Sequence, residues 1–437
     1  MSTAFDAIII GAGPAGTTAA IRLASAGWSV AIVEKREFPR RKVCGECIAA
    51  SNLPLLDALG IGEEFDALAG PDLRRVGLFV GQRKLIAPLP PMPHERHRWG
   101  RALGREHLDT LLLARAAAVG ARVFQPWAVK QHDADGDMHR CTLVRAGEAA
   151  DMMLQAPVLI HAHGSWEPIP RDGQQAHAAR KPPHRNGDLL AFKSTWLNAR
   201  IEPGLLPVLA FPGGYGGMVL GDHSMTTLAF CIRRDALQHA RADHPGASAA
   251  EAAFAHVRNS CGGIAEVVDS AMLSGSWLAV GPLQPGIRTA AQADGQFAIG
   301  NAAGEAHPIL GEGMSMAIQS AWLLSDQLIA HRAQTTASAA MRPEWSSLGA
   351  ECTRAWRANF APRLRFAAVS AHLAMRPHMA APLLPLLQRW PGLLTSGARL
   401  AGKVRQPALS ATMTTHRQRL PTTPILDPPP ETRHEQR

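Results

Sequence analysis

Hydrophobic and polar positions switch between two periods along the chain, and the switches mark its elements. Ala7–Ile10 is an unbroken apolar run; a glycine-rich turn follows, then small and apolar residues at helical spacing from Thr17 to Ala26. This reads as a buried strand, a tight turn and a helix. Gly27 ends that helix, and Ser29–Val33 supplies a second apolar strand with Glu34 at its end. The opening is therefore predicted to be a βαβ unit. Glu37–Ala50 leaves strand periodicity and reads as a loop entering a helix over residues 51–70, with Leu53, Leu55, Leu56, Leu59 and Ile61 on its apolar side. Leu103–Ala118 is a strongly amphipathic helix ended by Gly120. Arg122–Phe124 begins a strand, Cys141–Ala146 and Met152–Gln155 suggest a hairpin, and Pro157–Ala162 is another buried strand.

Beyond residue 165 the pattern changes. Short strands at Asp188–Thr195, Val208–Phe211, Met218–Leu220 and Thr226–Ile232 alternate with proline-rich loops, which predicts an antiparallel sheet inserted into the first domain. Phe297–Ile299 returns to that domain, and a helix from Gly313 to about His331 closes it. Residues 351–404 are helical in pattern but interrupted by Pro362, Pro377, Pro382, Pro385 and Pro391.

Composition narrows the class. The chain has 437 residues, 46% of them hydrophobic, which is enough for a large packed core. Six scattered cysteines in so long a chain do not suggest disulfide staples, and the start lacks the basic region of a signal peptide. A cytoplasmic protein is expected, without a membrane-spanning helix. The net charge is +9, yet no aromatic stacking platform accompanies it, so nucleic acid is not an expected partner. Arginines and lysines between leucines in 351–405 leave two readings open. One is a helical cap with a solvated face. The other is a basic apolar surface that opens to a lipid-like substrate or rests on the inner face of a membrane.

The chemistry begins at Gly11, Gly13 and Gly16, a G-x-G-x-x-G between strand and helix. Gly11 allows the tight turn, Gly13 lets a pyrophosphate approach, and Gly16 lets helix and strand pack closely. The helix start then offers free N–H groups and its positive dipole to phosphate. Glu34 lies where an acidic residue takes an adenosine ribose.

Together, G-A-G-P-A-G at Gly11–Gly16, C-G-E at Cys44–Glu46 and G-N-A-A-G…P-I-L-G-E-G at Gly300–Gly313 resemble FAD-dependent oxidoreductases of the geranylgeranyl reductase and para-hydroxybenzoate hydroxylase superfamily. The resemblance implies an α/β fold: a Rossmann-type FAD-binding domain (1–165 and 276–335), an inserted antiparallel β-sheet substrate domain (166–275), a C-terminal helical segment (336–405) and a disordered tail (406–437). It implies an FAD site built from Gly11, Gly13, Ala15, Gly16, Glu34, Lys35, Arg105, Asn301, Pro308, Gly311, Gly313 and Met314. Arg101 is a second candidate for the phosphates. Asn301 stands where relatives carry an aspartate that accepts from a ribityl hydroxyl; its amide oxygen retains that capacity. Cys44 is expected near the flavin ring, Tyr215 of F-P-G-G-Y-G-G over it, and His307 beside the Pro308 turn; these are the catalytic candidates, each with a merely structural alternative. Cys44 and Cys47 form a C-x-x-C with no second ligand pair, so no metal is expected.

Two departures bear on activity. Ala162-His163-Gly164-Ser165-Trp166 replaces the acidic residue through which related hydroxylases engage NAD(P)H, and the W-x-W-x-I-P motif and active-site lysine of flavin halogenases are missing. The expected function is an NAD(P)H-dependent monooxygenase hydroxylating a hydrophobic aromatic, phenolic-lipid or polyketide substrate through a flavin C4a-hydroperoxide. A reductase or dehydrogenase of carbon–carbon double bonds in a prenyl or polyene chain, and a non-catalytic electron carrier, are the alternatives.

Overall fold

The computed structural model describes residues 3–146, 151–165, 184–288, 294–337 and 345–404. The expected tail at 406–437, and Trp166, lie outside them. Five short strands form a parallel sheet in the order Gln296–Ala298, Val158–His161, Ala7–Ile10, Val30–Val33, Arg122–Phe124. Ala7–Ile10 and Val30–Val33 are buried throughout, as continuous apolar runs in a parallel sheet covered on both faces should be. The helix Pro14–Ser25 packs on one side against the helices Arg105–Ala118 and Gly313–Ala337. A four-stranded sheet covers the other side, with Met138–Val144 antiparallel to both Met152–Ala156 and Ala128–Asp135.

The helix expected over 51–70 is two helices, Leu53–Leu59 and Gly62–Leu68. Gly60 lies between them in the left-handed region (φ 80°), a conformation that ends a helix and that glycine adopts without strain.

The second sheet has seven strands, in the order Met272–Leu283, Leu189–Leu197, Thr226–Arg233, Gly214–Leu220, Leu205–Phe211, Arg75–Val80, Arg83–Pro88. Its membership is wider than 166–275. The hairpin 75–88 joins it through a parallel pairing with Leu205–Phe211, and its last strand runs on to Leu283. The C-terminal segment is one helix, Trp345–Ala374, then three short ones, Pro377–Ala380, Leu383–Arg389 and Gly392–Leu400. Pro377, Pro382 and Pro391 sit at helix starts, where a missing N–H costs nothing. This segment closes one end of a cavity between the two sheets.

Candidate active site

The glycine turn is shaped by contact. Gly11 has φ 103°, and a Cβ there would lie 2.6 Å from the Ala162 carbonyl oxygen; at Gly16 it would lie 1.9 Å from the Gly11 carbonyl oxygen. Gly16 thus sets how closely helix and strand pack, and does not itself line the cavity. Gly13 differs: a Cβ there would meet only Arg105 Nη2, at 3.7 Å, so its surroundings are open on the cavity side. Glu34 is buried and braces the turn, accepting from the amides of Ala12 (3.1 Å) and Arg36 (2.9 Å) while still lining the cavity.

Cations gather beside the turn. Arg105 is buried and donates twice to the Asp109 carboxylate at 2.7 Å. Burial alone would lower its pKa, but Asp109 outweighs that and raises it. Arg40 pairs with Glu34 at 3.3 Å and approaches Asp109 at 4.0 Å. Burial, reinforced by Arg105 and Arg40, lowers the Lys42 ammonium to about 8. Burial also lowers Lys35. Arg40, Lys42, Lys35 and Arg105 all line the cavity. Arg101 does not: it donates to the carbonyls of Gly70 (2.7 Å) and Ala69 (2.6 Å) and pairs with Asp66, so it ties together the ends of two segments.

At the far side of the loop, Cys44 and Cys47 line the cavity as free thiols. Burial pushes Cys47 up, and the nearest cation is Lys403, with Nζ 3.8 Å from its sulfur. Lys403 also pairs with Glu312 at 3.0 Å. Burial alone would lower Lys403; Cys47 and Glu312 raise it. Glu46, buried at φ 57°, accepts from Lys193 and from Thr227 Oγ1 (2.5 Å), which fastens the C-G-E loop to the second sheet. Tyr215 lines the cavity, and its hydroxyl lies 3.0 Å from Nδ1 of His307, which stands behind it. Asn301 donates from its amide to Ser165 Oγ at 2.9 Å, and both line the wall. Pro308–Leu310 is a single 3-10 turn closed by Gly311 at φ 62°; Gly313 and Met314 then begin the long helix at the cavity edge.

The cavity holds about 700 Å³. An open Gly13, a cluster of cations led by the buried Arg105 and a helix start provide for a pyrophosphate. His163, on the same wall, has both ring nitrogens without hydrogen-bond partners, and burial, with Lys35 and Arg288, lowers it to about 4. These residues fit an FAD extended from the glycine turn to Met314. A family model described as FAD binding domain matches residues 4–342. The chain belongs to this FAD-binding family.

The flavoprotein is 34% identical over 119 residues to a menaquinone reductase of Mycobacterium tuberculosis, covering 27% of this chain and 28% of the relative. It is 41% identical over 172 residues to a 1H-pyrrole-2-carbonyl-[peptidyl-carrier protein] brominase of Pseudoalteromonas luteoviolacea, covering 39% and 40%. These matches therefore span well under half of either relative. In fold it is similar to the flavin-dependent brominase Bmp2 (TM-score 0.70, 18% identity, 92% and 94% of the two chains). It is likewise similar to a geranylgeranyl bacteriochlorophyll reductase-like protein of Thermoplasma acidophilum (TM-score 0.69, 16% identity, 93% and 97%).

The cavity also contains residues that sequence reasoning did not single out as site residues. Arg40 and Lys42 fall in a stretch without periodicity, and Lys403 reads as one more surface cation. The R-R-K run after Phe38-Pro39 was the available signal for the first two: basic residues close behind a ribose-type carboxylate suit an anion.

Proposed function

We propose that this flavoprotein is an NAD(P)H-dependent monooxygenase that hydroxylates a hydrophobic aromatic, phenolic-lipid or polyketide substrate. The observation that carries the reading is the character of the cavity beyond the glycine turn. Its walls there are apolar side chains of the seven-stranded sheet, such as Leu78, Val208 and Phe230, facing Leu384, Leu387 and Leu394 of the C-terminal helices. Such walls exclude water and accept a flat or chain-like apolar molecule. FAD, when bound, supplies two-electron chemistry between a nicotinamide and oxygen. The chain's own residues hold the pyrophosphate (Gly13, Arg105, Lys42), offer an amide to the ribityl chain (Asn301) and place a phenol beside the substrate (Tyr215). Burial keeps that phenol protonated, with its pKa raised well above the ordinary value. Lysines on the cavity sit at the pyrophosphate end (Lys35, Lys42) or are paired (Lys403), and Lys193 on the sheet is held by Glu46 away from it. This arrangement supports oxygen insertion over halide chemistry.

Cys44 favours a second reading, reduction of a carbon–carbon double bond, because a thiol on the cavity wall can serve as a proton source. The deciding experiment is anaerobic reduction of the FAD-loaded protein with NADPH, followed by air and a panel of naphthols and polyenes. A product gaining one oxygen supports the first reading; a product gaining two hydrogens sinks it.

We also propose that the C-terminal helices rest on an anionic membrane surface. Among the described residues no helix is long and apolar enough to cross a membrane. Leu386, Trp390 and Leu400 are exposed (41%, 54% and 67%), and Leu383 and Leu393 are both exposed and part of the cavity wall. Arg365, Arg389 and Arg399 are exposed in the same segment. Exposed apolar side chains and exposed arginines in one segment suit an interface with acidic lipid.

A further inference from the structure

A histidine–carboxylate cluster stands apart from the flavin cavity. His107 belongs to the first turn of the helix Arg105–Ala118; Asp222 and His223 form a short turn after the strand Gly214–Leu220. Each of the three offers a ligand atom, and these atoms all lie within 4.8 Å of one another. None of the three lines the cavity.

Asp222 carries the inference. It is buried, with 6% of its surface exposed. Its Oδ1 accepts from the Gly104 amide at 2.9 Å, and its Oδ2, also buried, is left to face His107. His107 Nε2 lies 3.2 Å from that oxygen, and this contact with Asp222 raises the imidazole. A buried carboxylate oxygen faced by a single imidazole nitrogen keeps a lone pair free, and a cation held between it and two imidazoles would use that lone pair and both rings. The backbone supplies the placement: His223 is held at φ 50° and Ser224 at φ 57°, with the His223 ring centroid 5.6 Å from that of His107.

We propose that His107, Asp222 and His223 bind a divalent transition metal, zinc being the best match. Two imidazole nitrogens and one carboxylate oxygen are borderline donors of the kind zinc takes, with water completing a tetrahedron. The site is a clamp rather than a reaction centre, because it lies off the cavity. It ties the turn that presents Arg105 to the seven-stranded sheet. A protonated His107 paired with Asp222 is the competing arrangement, and it needs no metal.

The test uses the full-length, FAD-loaded protein, stripped with EDTA and dialysed against micromolar ZnCl2 in excess magnesium. Zinc per chain is read by mass spectrometry, and thermal midpoint with and without zinc. Wild type is expected to retain about one zinc and to melt higher with it. His223→Asn keeps a residue that tolerates the left-handed backbone but lacks the imidazole, and should bind zinc at least about tenfold more weakly while keeping its flavin. His107→Gln, on the other element, should do the same. A zinc-free wild type after dialysis overturns the proposal, and so does either variant retaining zinc as wild type does.

Discussion

The Tyr215 hydroxyl lies 3.0 Å from Nδ1 of His307, and the two rings meet edge to face at 6.1 Å. Burial raises the phenol and, with His372, lowers the imidazole. The phenol therefore stays protonated and the imidazole neutral, so the hydroxyl can donate to Nδ1 in the tautomer that carries its proton on Nε2. Replacing Tyr215 with Phe should lower kcat about a hundred- to ten-thousandfold, the range in which a positioned proton donor acts. It should leave FAD affinity unchanged. Because the folded His307 pKa lies below the ordinary 6.5, the bond persists through neutral pH and is lost as pH falls through that lowered value. The acid limb of the wild-type pH–rate profile should move in Tyr215→Phe; an unmoved limb would place the pair outside the chemistry.

The two inner glycines make different demands, so their substitutions should separate. At Gly16 an added Cβ meets backbone at 1.9 Å, so Gly16→Ala must displace helix or turn. It should destabilise the apoprotein by at least about 1–3 kcal/mol, as overpacking does, and abolish flavin retention. Gly13 has room for a Cβ next to Arg105 Nη2, so Gly13→Ala should keep the apoprotein's melting point. Only its FAD affinity should fall, because the methyl occupies the approach of the phosphate. Equal effects of both variants on the apoprotein would refute this division.

Legibility follows the same line. The strand–turn–helix at residues 7–25 was readable because one local constraint, a tight turn without side chains, dictates both the glycine spacing and its chemistry. The place of Glu34 after the second strand suggests a ribose ligand, but nothing local shows its brace on the Ala12 amide, since that bond crosses 22 residues. The hairpin 75–88 was not assigned to the second sheet. Its neighbour Leu205–Phe211 is more than a hundred residues away, and nothing local to either strand encodes the pairing. Lys403 was unreadable for a similar reason: helical pattern shows which face is apolar, not which cation turns inward to meet Glu312 and Cys47.

Lys42 makes the flavin-free protein sensitive to alkaline pH. Its amine titrates near 8 in the folded chain against about 10.5 in an unfolded one. Between those values the unfolded state holds more protons, so stability rises with pH across that window. Flavin affinity should move the other way, weakening above about pH 8 as the ammonium that faces the pyrophosphate is lost. Isothermal titration with FAD from pH 7 to pH 9.5 checks this. Lys42→Met should bind FAD more weakly at pH 7 and lack the alkaline decline; a variant with the wild-type profile would assign the cation's role to Arg40 and Arg105 alone.

The exposed leucines and Trp390 of the C-terminal helices should govern lipid binding without touching the flavin. Leu386→Glu combined with Trp390→Glu should abolish co-sedimentation with phosphatidylglycerol vesicles and leave the flavin spectrum intact. Wild type should bind these vesicles but not neutral phosphatidylcholine. Binding that survives the double variant would remove this face from the interface.

The Glu46–Lys193 pair couples the cysteine loop to the seven-stranded sheet. Both residues are buried, at 5% and 1% exposure, and Glu46 also accepts from Thr227 and from the Arg105 amide at 3.2 Å. Removing one partner leaves a buried charge, at a cost of about 3–5 kcal/mol. Lys193→Met alone should therefore lower the thermal midpoint sharply and loosen the loop that positions Cys44 and Arg105. Lys193→Met with Glu46→Gln removes both charges and should recover most of that loss, because the glutamine oxygen can accept from the Arg105 amide while its NH2 donates to the Thr227 hydroxyl, which rotates to accept. Urea denaturation of the single and double variants measures the coupling. If the double variant is no more stable than Lys193→Met, the charge pair is not what joins the C-G-E loop to the sheet.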